Sequence, residues 1–104
     1  MLKLLKQKTI TPGELFKICA DNINKNVVNN AYIEIFSSQM NDKAVKKSNE
    51  NINNGCARPL EGLTIAIKDN FCVEGHNTTA GSKMLENFIA PYSASIVNRL
   101  QENG

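Results

Sequence analysis

Tryptophan is absent and histidine occurs once, as His76, in a chain of 104 residues. Aromatic residues make up 6%, too few for the stacked platforms that hold single-stranded nucleic acid. An excess of one charge is missing as well: 12 Lys plus Arg against 10 Asp plus Glu leave a net charge of +2. A phosphate backbone needs a denser basic patch than that. No apolar run approaches the roughly 20 residues that cross a bilayer, so a membrane partner is not expected. The three cysteines, Cys19, Cys56 and Cys72, are odd in number and widely spaced. Zinc sites show close ligand pairs, and one imidazole does not make up the missing ligands. The thiols read as reduced, in a cytoplasmic protein with no metal.

What is present fits one ordinary globular domain: 41% hydrophobic and 21% charged residues, in a length that suits a single domain. Met1-Leu-Lys-Leu-Leu-Lys-Gln-Lys8 carries the positive charge of a targeting segment. It lacks the apolar stretch that would follow, and reads as a short helical lead-in with solvated lysines. The sequon Asn77-Thr78-Thr79 is read as chance.

Thr11-Pro12-Gly13-Glu14 marks a helix start: a hydroxyl for the cap, proline at the first helical position and a glutamate three residues after the cap. Leu15, Phe16, Cys19 and Ile23 then share one face of a helix that runs to about Asn26. Ala31–Phe36 is short, β-branched and aromatic, and reads as extended. Residues 38–53 form a polar helix with Met40, Ala44 and Ile52 on its apolar side and Gly55 as terminator. Lys43, Lys46 and Lys47 form its solvated face. A turn over Arg58–Gly62 leads to the nearly continuous apolar run Leu63-Thr-Ile-Ala-Ile67, the pattern of a strand covered on both faces. Ser93 is placed to cap a last helix with Ile96, Val97 and Leu100 on one face, stopped by Gly104. Helices alternating with buried strands give an α/β fold, with residues 1–57 as a helical lead-in and 58–104 as the start of a sheet core.

Lys68 is the residue most able to carry chemistry. A lysine that closes a buried strand loses hydration, which disfavours its charged form and frees it to act as a base toward a hydroxyl. The ordinary alternative is a strand-end lysine that extends its ammonium into water. Asp69 and Asn70 follow it, with short polar side chains able to bond the turning backbone. Elsewhere, Gly75–Lys83 does not fit a phosphate loop, because five residues intervene and the order is Gly-Ser-Lys. His76 has no evident acidic partner and reads as a loop residue.

Pro59-Leu-Glu-Gly-Leu-Thr-Ile-Ala-Ile-Lys-Asp-Asn-Phe71 closely resembles the lysine-bearing motif of the amidase signature family. Gly75, Thr78-Thr79, Gly81–Phe88, Ala90-Pro-Tyr92 and the helix Ser95–Gly104 extend that resemblance toward its tRNA-dependent amidotransferase branch. The match is dense over 58–104 and thins upstream. The resemblance implies N-terminal helices and the first strands of a mixed-sheet amidase signature fold. It implies a Ser–cis-Ser–Lys triad in which Lys68 accepts a proton through a bridging serine and so activates a second serine. In that branch the substrate is glutamine, and the released ammonia passes to a partner that amidates glutamate carried on tRNA(Gln). The B and C subunits of such an amidotransferase would complete a heterotrimer. ATP and magnesium belong to the assembled enzyme, and this chain itself would hold no cofactor.

Thr64, His76, Ala80 and Ser93 depart from the usual residues of the motif, where proline, an aliphatic residue, cysteine and aspartate are common. Their expected effect is on loop packing. The Gly/Ser-rich segment that carries both serines does not occur in these residues, and Ser82, Ser93 and Ser95 lie in the wrong motif to replace it. The chain therefore reads as the N-terminal portion of a longer enzyme, expected to be inactive and poorly folded alone. Another amidase of the family acting on a different amide, or a non-catalytic remnant, are the alternatives.

Overall fold

Five residues, Leu2–Lys6, form α1, whose Leu5 is 1% exposed while Lys3, Lys6 and Lys8 face solvent. Helix α2, Pro12–Lys25, begins on a complete capping box. The amide of Glu14 donates to Thr11 Oγ1 at 3.2 Å, and the amide of Thr11 donates to Glu14 Oε2 at 2.8 Å. Two otherwise unpaired donors at the helix start are thereby satisfied reciprocally. The computed structural model describes residues 1–36 and 38–104. It divides into two compact units, residues 1–64 with 103–104, and residues 65–102.

In the first unit, Leu15 is buried and Phe16, Cys19 and Ile23 are half-buried along one side of α2, as their spacing predicts. Helix α3, Ser38–Asn53, packs against α2. Its inward residues are Val45, Ser48 and Ile52, whereas Ala44 is exposed. The multiples-of-four reading drifts off the true face, because 3.6 residues complete a turn; the side chain of Met40 lies outside the described residues. Gly55, at φ 74°, ends α3 in a Schellman arrangement. The amide of Cys56 donates to the carbonyl of Asn51 at 2.8 Å, and that of Gly55 to Ile52 at 3.4 Å. Gly62 is required twice over: its φ is 77°, and a Cβ there would lie 2.6 Å from Pro12 Cγ.

The turn over Arg58–Gly62 is anchored by Glu61, which is 2% exposed. Arg58 Nε donates to Glu61 Oε2 at 2.8 Å and Arg58 Nη2 to Oε1 at 3.0 Å, a two-pronged grip. Asn51 Nδ2 on α3 donates to the same Oε2 at 3.1 Å, and the Ser48 hydroxyl bonds the carboxylate as well. The Arg58 side chain above all, with Ser48 and Asn51 adding and burial opposing, holds the Glu61 carboxyl down at about 2. This carboxylate therefore fastens the turn to the inner side of α3.

The strands expected at residues 31–36 and 63–67 are not formed: no strand occurs among the described residues. Tyr32, Ile33 and Ile35 are exposed, as is Ile65 at 45%. A strand is stabilised by pairing across non-local neighbours, and no strand ladder forms at either segment among the described residues. The described residues are thus helical, and the α/β expectation is corrected to that extent. Cys19, Cys56 and Cys72 form no disulfide; Cys19 Sγ instead meets Thr64 Oγ1 at 3.3 Å.

In the second unit, helix α4 spans Ser95–Glu102. Val97 is buried and Leu100 half-buried, while Ile96 is exposed. Ser93 does not cap this helix, which starts two residues later; its Oγ accepts the amide of Glu74 at 3.0 Å. A single antiparallel bridge, Asn77 to Ile89, aligns two short segments. Around it the amide of Gly75 donates to Ala90 at 2.9 Å, Ala90 to His76 at 3.0 Å and Thr78 to Phe88 at 3.1 Å.

Since Glu61 titrates at about 2 when folded and near 4.3 when unfolded, its stabilisation is complete above the unfolded value and disappears as pH falls through the folded one. Relative to Glu61→Gln, the native chain should be more stable by about 2 kcal/mol at pH 6, allowing for the solvent around Arg58. That margin should shrink to about half at pH 3 and vanish near pH 1. Thermal melts followed by far-ultraviolet circular dichroism measure it, and a margin independent of pH would contradict the assignment.

Candidate active site

Lys68 ends the apolar run 63–67 and opens a tight turn, in which the amide of Phe71 donates to the Lys68 carbonyl at 2.9 Å. The lysine itself is exposed, as are Ile65 and Ala66 before it. This corrects the expectation of a lysine closing a buried strand. The covering layer on which that expectation relied is not supplied by the described residues.

The residue after it does the organising. Asp69 Oδ1 accepts the amide of Thr79 at 2.8 Å, and Asp69 Oδ2 accepts the Thr79 hydroxyl. The amide of Gly81 also reaches Oδ2, at 3.4 Å, and the amide of Ala80 donates to the Asp69 backbone carbonyl at 3.2 Å. One residue thus collects donors from three consecutive residues ten to twelve positions away. The Thr79 hydroxyl first, then the Thr79 amide, holds the Asp69 carboxyl below the usual carboxylate range. The sequence predicts that Asp69 and Asn70 bond the turning backbone next to them. The structure instead sends the Asp69 carboxylate across the loop, a non-local pairing that spacing does not reveal.

The clamp holds an uncommon backbone. Ala80 has φ 49° and Gly81 φ 71°, a consecutive left-handed pair that costs an alanine roughly 1–2 kcal/mol. The amide of Ser82 returns to the Thr79 carbonyl at 2.8 Å and closes the turn. Ser82 then caps a single turn of 3-10 helix, Lys83–Leu85, its Oγ accepting from the amide of Met84 at 3.3 Å.

Around this turn the second unit buries Val73, His76, Thr78, Ala90 and Val97. His76 is a loop residue, in the bend just before the bridge, and it is buried there. Thr78 is 6% exposed, and its hydroxyl has no hydrogen-bond partner among the described residues. No group of three or more His, Cys, Asp or Glu placed to hold a metal occurs among the described residues, and no described helix is long and apolar enough to cross a membrane. The arrangement is an exposed amine on a turn whose next residue is fixed by four donors.

A sequence model of the family described as Amidase matches residues 14–104, and the chain belongs to the amidase family. Among individual proteins it is similar to the A subunit of glutamyl-tRNA(Gln) amidotransferase from Brachyspira hyodysenteriae, with 44% identity over 108 residues covering 96% of this chain and 21% of that protein. The mitochondrial proteins of the same name are similar too. That of Ixodes scapularis is 39% identical over 95% of this chain and 20% of its own length. That of Homo sapiens is 41% identical over 96% and 19%. The chain therefore spans about a fifth of the length of the curated relatives it matches.

A buried hydroxyl without a partner costs roughly 1–3 kcal/mol, and removing it with its shape kept returns much of that. Thr78→Val should leave the stability of the complete protein unchanged or raise it by about 1 kcal/mol. Denaturant titration checks this, and a loss above about 1 kcal/mol would show that the hydroxyl is bonded after all.

Proposed function

We propose that this chain is the lysine-bearing N-terminal part of the glutaminase subunit of a tRNA-dependent amidotransferase, in which Lys68 is the catalytic base. The observation that carries the reading is the similarity to the A subunits of glutamyl-tRNA(Gln) amidotransferases, which takes in 95–96% of this chain, the lysine motif included. Three relatives from a bacterium, a tick and a mammal point the same way.

In this reading Lys68 takes a proton through a bridging cis-serine, and a second serine attacks the side-chain amide of glutamine. Both serines belong to the four-fifths of the relatives that this chain does not span, as do the donors that an oxyanion needs. The same portion would cover Lys68, removing the water that surrounds it in the described residues. Ammonia then passes to the B subunit, which uses ATP and magnesium to amidate glutamate on tRNA(Gln), while the small C subunit braces the heterotrimer in the cytoplasm. The 104 residues hold no cofactor of their own and contribute one member of a three-member site.

Two outcomes test the proposal. In the complete enzyme, Lys68→Ala should reduce glutamine hydrolysis by at least ~10³-fold, as loss of a base serving a covalent nucleophile does. Co-purification with the partner subunits should be intact, because the role is proton transfer; near-normal turnover would refute the base. The 104-residue chain alone should release no ammonia from glutamine, since a base without nucleophile or oxyanion donors gives no covalent route. Ammonia release that disappears on Lys68→Ala would overturn that expectation.

A further inference from the structure

Catalysis by a side chain on a turn depends on how firmly that turn is held, and a residue that collects four donors lies next to Lys68. The Asp69 carboxylate binds the Thr79 amide at 2.8 Å, the Thr79 hydroxyl and the Gly81 amide at 3.4 Å, while its carbonyl takes the Ala80 amide at 3.2 Å. The Thr79 hydroxyl in turn accepts the Gly81 amide at 3.2 Å. These bonds tie the backbone immediately after Lys68 to a left-handed Ala80-Gly81 turn, itself closed by Ser82. On the same, C-terminal side, the carbonyl of Lys68 accepts the amide of Phe71 at 2.9 Å. Lys68 itself has no such anchor in its side chain, being exposed.

We infer that Asp69 is a positioning residue for Lys68: its bonds to Thr79 and Gly81 set the direction in which the lysine leaves the chain. The inference rests on the reading of Lys68 as the base and deepens it. Asp69 moves no proton and touches no substrate. It acts by locking the turn, with Thr79 as its principal partner because that residue supplies two of the donors. A shift of about 1 Å in a reacting group lowers turnover by ~100-fold, and an asparagine at 69 would retain one acceptor while confronting either the Thr79 amide or the Gly81 amide with a donor group. Thr79→Val keeps the backbone donor and loses the hydroxyl, whereas Thr79→Ser keeps both.

The test uses glutamine turnover by the complete enzyme, expressed per functional site counted from the stoichiometry of glutamine binding. Asp69→Asn should lower kcat about 100-fold with KM within about twofold. Thr79→Val should lower kcat about tenfold, and Thr79→Ser should return it to the native value. A merely structural role would reduce the number of functional sites and leave kcat per site unchanged. Should Asp69→Asn fail to accumulate as folded protein, the Thr79 pair decides, and equal kcat in Thr79→Val and Thr79→Ser overturns the inference. Native kcat in Asp69→Asn beside an inactive Lys68→Ala overturns it and spares the base, while an active Lys68→Ala removes both.

Discussion

The carboxylate of Asp69 is the constraint on which the second unit depends. Its small apolar core, with Val73, Ala90 and Val97 as the buried aliphatic residues, leaves much of the order of the 69–81 loop to polar bonds. An ionised carboxylate that accepts several donors makes stronger bonds than a neutral acceptor, and it can support a backbone that sterics oppose at Ala80. The first unit has a counterpart in Glu61, which joins Arg58 to Ser48 and Asn51. Each unit is thus organised around one acidic side chain that draws bonds from a segment ten or more positions away in the sequence.

That division of labour explains why so little of the 63–68 segment is covered. The apolar run has the composition of an interior strand, yet Ile65 and Ala66 are exposed. The described residues supply helices and turns, most of whose backbone bonds are local, with one short antiparallel pairing around Asn77 and Ile89. A central strand instead needs neighbours on both edges and layers on both faces. The relatives are about five times as long as this chain, ample for such neighbours, and the proposed role of Lys68 depends on them. Exposure of the lysine here and a covered lysine in the complete enzyme are compatible on that account.

Local signals in the sequence are legible and the non-local ones are not. Thr11, Pro12 and Glu14 define the start of α2, and Gly55 the end of α3, because capping involves residues within one turn of each other. The turn at Arg58–Gly62 is equally plain, and the Arg58-x-x-Glu61 spacing contains a signal for the buried ion pair that turn chemistry alone does not bring out. By contrast, Ser93 has the chemistry of a cap but is engaged by Glu74, nineteen positions away. Strand formation at 31–36 and 63–67 hinges on partners that composition cannot supply. For the site, the motif singles out Lys68, while the hold of Asp69 on residues 79–81 emerges only from the fold.

The most direct test of the claim that Asp69 fixes the lysine turn is hydrogen exchange at the Thr79 and Gly81 amides of the complete protein, expressed as protection relative to intrinsic rates and followed with pH. Because the folded carboxyl titrates below its usual range, protection from this source is present above the ordinary value near 3.9 and is lost only at lower pH. The account predicts both amides protected at pH 5, with protection persisting below pH 3.9 and collapsing as Asp69 takes up its proton. Unprotected amides at pH 5, or protection already lost by pH 3.9, would contradict it.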